Sequence, residues 1–197
     1  MNAMSKLSKA FWKDMLHHFN ANLVQKENSE AMKAISHVLD TIGVLDGDAF
    51  LTRFSTTLGS EIYTPFIPGE GSELDCWQQI GTCAHECLHV VQARRDGLAV
   101  FSGKYLFDKT ARATYEAEAY RVNMHLAFWR FGEIRRHYSP EYLSSLLKSY
   151  ALEQSHIDYA KSYLEMSRRA IEQGAILDDV SQYAIDWLNT HASHIKV

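Results

Sequence analysis

Residues His85-Glu86-Cys87-Leu88-His89 place two histidines four positions apart, with a glutamate directly after the first. In a helix each residue advances about 100°, so His89 lies only about 40° round from His85. Two imidazoles one turn apart can reach a single tetrahedral metal ion from the same side. Glu86 lies about 100° from His85, on the flank of that face, where it can reach a water on the ion without being a ligand. This pattern points to a zinc hydrolase, in which the metal lowers the pKa of its water and the carboxylate takes the proton.

The motif is short, and a shuffled chain of this composition contains it in roughly 3 cases in 100. Its context therefore decides. Ser72 and Asp75 form an S-x-x-D start signal, and Gly97 supplies a stop. Between them Trp77, Ile80, Cys83, Ala84, Cys87, Leu88, Val90 and Val91 form a wide apolar arc. The other arc carries Gln78, Thr82, His85, His89 and Gln92. A helix with one core face and one polar, histidine-bearing face suits the wall of a cleft.

The rest of the chain must position that helix. Its 197 residues suit one domain, residues 1–197, with a substantial core. A net charge of −4 and the absence of a dense Lys/Arg stripe argue against nucleic acid as a partner. No apolar run approaches the roughly 18 residues of a membrane span, and Met1–Asn20 lacks a signal-peptide core. A cytoplasmic protein with no membrane partner is the expectation. The cysteines agree, because Cys83 and Cys87 fall on the apolar arc with Cys76 nearby and read as reduced core thiols.

Helical periodicity is expected over Lys6–Gln25, and from Ser29 to a stop at Gly43. Ala49–Leu58 and Glu61–Phe66 read as two strands of a small antiparallel hairpin turning at Gly59-Ser60. Pro65 and Pro68 mark an edge strand there, to which an extended peptide can add. Leu98–Phe107 reads as an apolar connection lining the cleft. Helices follow over Lys109–Phe131, from a Ser139-Pro140-Glu141 start, and over Glu153–Gln173 and Asp179–His191. The fold class is mainly α with one small antiparallel sheet.

A catalytic zinc takes three protein ligands and a water. The helix expected at Lys109–Phe131 carries Tyr115-Glu116-Ala117-Glu118-Ala119-Tyr120. With these residues the chain, over Ile62–Asn123, resembles the gluzincin class of zinc metallopeptidases, which pair an H-E-x-x-H helix with a glutamate on a later helix. The resemblance implies a zincin-like α+β fold and zinc-dependent hydrolysis of a peptide or protein substrate. It makes His85, His89 and Glu116 the zinc ligands and Glu86 the general base. Glu116 and Glu118 lie about 200° apart, so one helix points only one of them at the ion. Small neighbours (Ala113, Ala119, Asn123, Ala127) favour Glu116, whereas Thr114, Arg121 and His125 around Glu118 read as a solvated face with a Glu118–Arg121 pair. Several families of the class place an Asp four residues after the ligand to support a histidine; here that position is Tyr120, which has no charge to lend. Tyr63, Tyr105, Tyr115, Tyr120 and His156 are candidate electrophiles for the oxyanion.

Two other readings compete. Glu86-x-x-His89 and Glu153-x-x-His156, with Glu116 and either Glu27 or Glu30, match the ligand set of a di-iron carboxylate bundle. A metallopeptidase-like domain that binds without turnover is the other, although it has no use for an intact Glu86.

Overall fold

A computed structural model describes residues 2–41, 51–52 and 54–197. Helix α1 (Ala3–His18) starts at Asn2, whose side chain accepts a hydrogen bond from the Ser5 amide, and buries Phe11, Trp12 and Met15. It ends sooner than the apolar spacing of Lys6–Gln25 suggests. Asn20 adopts a left-handed φ of 46°, which asparagine tolerates, and the chain leaves as strand β1 (Asn22–Gln25). Leu23 and Val24 continue the helical spacing, but the parallel pairing of β1 with a strand some forty residues later overrides it.

Helix α2 (Glu30–Thr41) follows, and its expected stop at Gly43 lies outside the described residues. Strands β2 (Thr56–Leu58) and β3 (Glu61–Thr64) form the expected antiparallel hairpin about Gly59-Ser60. Gly59 takes a φ of 64°, as such a turn demands. Three corrections apply to the sheet. Its order is β1-β3-β2, so it is a three-stranded mixed sheet rather than an antiparallel hairpin alone. Leu51 and Thr52 are helical rather than extended, and residues 49, 50 and 53 lie outside the described residues. Pro65 ends the central strand β3, and among the described residues the sheet edge beside the next helix belongs to β2.

Helix α3 (Glu73–Asp96) is the axis of the molecule. Ser72 and Asp75 close a reciprocal capping box at its start, and Gly97, with φ of 84°, ends it. Trp77, Ile80, Cys83, Ala84, Cys87 and Val90 are buried in one core with α1 and with α8 (Asp179–His191). Leu98–Phe107 is itself a helix, α4, rather than an irregular connection. Helix α5 (Lys109–Phe131) has the expected bounds and is capped by Asp108 and Gly132. It lies antiparallel along α3, as the pairs Gln92–Tyr115, His85–Asn123 and Gly81–Asn123 require. A methyl group on Gly81 would stand 3.0 Å from the Asn123 amide nitrogen, so glycine here permits the close approach. Helices α6 (Pro140–Leu146) and α7 (Gln154–Glu172) cover the far side of α5 with a second core that includes Met124, Leu147 and Leu164. No helix among the described residues is long and apolar enough to cross a membrane.

Candidate metal centre

His85 and His89 project from α3 onto Glu116 of α5. The Nε2 atoms of His85 and His89 each stand 3.5 Å from a different Glu116 carboxylate oxygen. One ligand atom from each of the three residues lies within 4.8 Å of the others, and all three side chains are buried or nearly so. No other such group of His, Cys, Asp or Glu occurs among the described residues.

The outer nitrogens of both imidazoles are engaged. His85 Nδ1 lies 3.1 Å from Asn123 Oδ1, and the Asn123 amide nitrogen donates to the Gly81 carbonyl at 2.9 Å. His89 Nδ1 lies 2.7 Å from Gln92 Oε1, and the Gln92 amide nitrogen donates to the Tyr115 carbonyl and to Glu118. Each amide has its nitrogen committed elsewhere, so it presents an oxygen to the ring. That oxygen accepts only from a protonated Nδ1, which leaves the Nε2 lone pairs facing Glu116. Glu116 Oε1 accepts the Tyr105 hydroxyl at 2.5 Å, while Oε2 is buried without a hydrogen-bond partner. A buried carboxylate oxygen without a donor is costly, and a cation between it and the two lone pairs would satisfy it. The donor set therefore fits a divalent metal ion.

Burial raises the Glu116 carboxyl pKa, but His89, His85 and Tyr105 outweigh it and hold the pKa below the ordinary value. Burial lowers the His85 pKa, yet Glu116, Glu86 and Asn123 bring it above its usual value. The ionised form of Glu116 is thus favoured by the two imidazoles and the Tyr105 hydroxyl, and a metal ion would take the place of any proton on the imidazole Nε2 atoms.

Glu86 lies beside these ligands and is held from another direction. Its Oε2 accepts the Thr57 hydroxyl of β2 at 2.7 Å. Behind β2, the fully buried Lys26 donates through Nζ to the Phe54 carbonyl at 2.8 Å and to Thr56 Oγ1 at 2.7 Å. Burial pulls the Lys26 pKa from 10.5 down to about 7, with the Glu86 charge opposing the shift. Below about pH 7 both folded and unfolded chains protonate this amine, and the cost of burying the cation is present in full. Between about 7 and 10.5 only the unfolded chain keeps the proton, so stability rises with pH by up to about 1.4 kcal/mol per unit. Lys26→Met is expected to remove that rise. Denaturant unfolding of both proteins at pH 7 and pH 9 tests this, and a constant difference in stability between them would exclude it.

The other expected residues are distributed as follows. Glu118 is half-buried and does not pair with Arg121. It accepts from Gln92 and forms an ion pair with Arg95 at 3.3 Å. Arg121 instead pairs with Asp178. His125 is buried and accepts from the Leu177 amide, and burial first of all lowers its pKa to about 4. The face read as solvated is therefore covered at His125 and only partly covered at Thr114, Glu118 and Arg121. Among the candidate electrophiles, Tyr105 reaches the centre, and the Tyr120 ring stands 5.0 Å from that of His85. Tyr63 bonds Glu61 and Tyr115 bonds Asp96, away from the ligands. Glu153 precedes α7 without a side-chain capping bond and pairs with Lys109, Glu30 pairs with Lys33, and Glu27 is exposed, so the di-iron ligand set is not assembled. Cys76, Cys83 and Cys87 are buried free thiols, and burial raises the Cys83 pKa well above its usual value.

Two hollows meet at this centre. A cavity of about 170 Å³ is enclosed by Leu58, Phe101, Tyr105 and Leu106 and has His85, Glu86, His89 and Glu116 on its floor. A larger groove of about 1050 Å³ leaves His85 and Glu86 in the direction of Arg130. Sequence reasoning overlooked Asn123 as a partner of His85, although it lies seven residues from Glu116 on the same helix face. It also missed Thr57 and Lys26, which no local signal marks. No family model matches the chain, and neither a curated protein nor a solved structure matches it.

Proposed function

We propose that this protein is a zinc-dependent peptide hydrolase of gluzincin type, with His85, His89 and Glu116 holding the metal and Glu86 acting as general base. One observation carries the reading. Three buried ligand atoms converge with both imidazole Nδ1 atoms engaged and Glu116 Oε2 unpartnered, while Glu86 lies on the same cavity floor. Zincin-like architecture follows from the same reading: the metal helix lies under a small sheet whose edge strand among the described residues, β2, borders the cavity.

Zinc, when bound, supplies a Lewis acid that polarises the peptide carbonyl and makes water acidic enough to ionise near neutral pH. The protein residues do the rest. Glu86 accepts the proton from the attacking water and returns it to the departing amine. Thr57 keeps the Glu86 carboxylate aimed, so little orientation is lost at the moment of reaction. Asn123 and Gln92 fix the imidazole rings, taking the place of the absent aspartate at Tyr120. The Tyr105 hydroxyl donates its one proton to Glu116 and so holds that carboxylate in position. Strand β2 presents the sheet edge on which an extended substrate can be held by backbone hydrogen bonds.

The purified protein is expected to contain about one zinc per chain. It should hydrolyse peptides, lose that activity on chelation, and regain it when zinc is restored. One iron in place of zinc, or zinc with no turnover of any peptide, would overturn the assignment; the second result would favour a binding domain.

A further inference from the structure

We infer that the large groove is a substrate channel that recognises an acidic peptide segment, with an Asp or Glu side chain seated at Arg130 and Arg135. The inference rests on the peptidase reading for the position of the cut bond. Three observations on this wall carry it.

First, Glu116, Asn123 and Arg130 follow one another at seven-residue intervals, so they form a single stripe along α5. Glu116 binds at the centre, Asn123 holds His85, and Arg130 lines the groove about 21 Å further on, at roughly 1.5 Å per residue. The Arg130 side chain leans back toward the N-terminus of its helix, which shortens the span. An extended peptide covers that distance in about four to six residues.

Second, Arg130 is a cation prepared for a partner that the described residues do not supply. Its guanidinium stands 4.3 Å from the centre of the Trp77 ring and 5.1 Å from that of Phe131. Its Nε is buried and without a hydrogen-bond partner. The neighbouring acid of this wall, Glu73, acts on it only through charge, while Arg135 opposes it. A half-buried guanidinium gains most from a carboxylate, which can bind its two terminal nitrogens by two parallel hydrogen bonds.

Third, Arg135 stands over the Phe131 ring at 3.9 Å and its only ion pair among the described residues, with Glu133, is solvent-exposed. Such a pair is weak and exchangeable. The end of the groove thus offers two cations on an aromatic floor. Its rim is open, with Leu74 and Tyr142 exposed along it. A chain can therefore pass through, which favours a side-chain carboxylate over a C-terminal one.

The test uses zinc-loaded protein and peptides acetylated and amidated at their ends, identical except for one Glu or Gln moved along the sequence. Glutamate at one position, about four to six residues from the cut bond, is expected to raise kcat/KM roughly ten- to hundredfold over glutamine. Arg130→Met, which keeps the packing on Trp77, and the exposed Arg135→Gln should each reduce that preference. Both should leave the rate on the all-glutamine peptide and the melting temperature nearly unchanged. Cleavage with no preference for acid, or a preference that persists in the double variant, would overturn the inference. So would an equal gain from a free C-terminus at the same distance, which would place the main-chain carboxylate there. If no peptide is cleaved, the peptidase reading fails, and anisotropy of the same peptides bearing a fluorophore decides the subsite separately. Binding that needs both the glutamate and Arg130 supports it, and equal binding of glutamate and glutamine peptides excludes it.

Discussion

Glu116→Ala is expected to bind zinc about a thousandfold more weakly than the parent protein and to be inactive. The substitution removes one of three ligands, and it also leaves the Tyr105 hydroxyl and two Nε2 atoms facing an empty space. The parent protein should be stabilised by added zinc in proportion to the logarithm of its concentration above Kd, and the variant should lose most of that increment. Glu118→Ala is the informative comparison. An exposed Glu118 would make the change silent, but its carboxylate accepts from the Gln92 amide, which in turn holds His89. Losing it leaves the amide held by the Tyr115 carbonyl alone, so zinc affinity should fall by up to about tenfold, the lower end of what removing a residue that orients a ligand costs. Competition with a coloured chelator measures all three proteins. The assignment of the helix face fails if Glu118→Ala loses more zinc affinity than Glu116→Ala.

Glu86→Gln is expected to retain zinc and fold while hydrolysis falls by between about 10² and 10⁴. The amide matches the carboxylate in shape, and its oxygen can still accept the Thr57 hydroxyl, so the side chain stays in place. What it loses is the capacity to take a proton from water. Metal content and melting temperature should match those of the parent. Hydrolysis within a few-fold of the parent rate, at equal zinc content, would falsify the role of Glu86 as general base.

The parts of this protein that its sequence determined are those that depend on neighbours within a turn or two. The spacing of His85, Glu86 and His89 places them on one flank of a helix whatever surrounds it, and the Ser72–Asp75 box and Gly97 bound that helix by local hydrogen bonds and backbone geometry. The bounds of α5 and its presentation of Glu116 were legible for the same reason, since small residues beside Glu116 admit a close neighbour. Gly59-Ser60 likewise marked a hairpin through its turn chemistry alone.

Tertiary structure decided everything that depends on distant segments. Leu23 and Val24 fit a helix or a strand equally well by spacing, and only pairing with β3 resolved them. Thr114, Arg121 and His125 have polar side chains that suggest water, yet Arg121 and His125 find their partners in Asp178 and the Leu177 amide, more than fifty residues away. Tyr120 occupied the position expected to support a histidine, but packing of α3 on α5 gave that work to Asn123 and Gln92. Thr57 reaches Glu86, and Lys26 reaches Thr56 beside it, only because a parallel strand and a hairpin fold over α3. A hydrogen bond between residues thirty or more positions apart leaves no periodic trace in the chain, because its geometry is set by how elements pack and not by how they form.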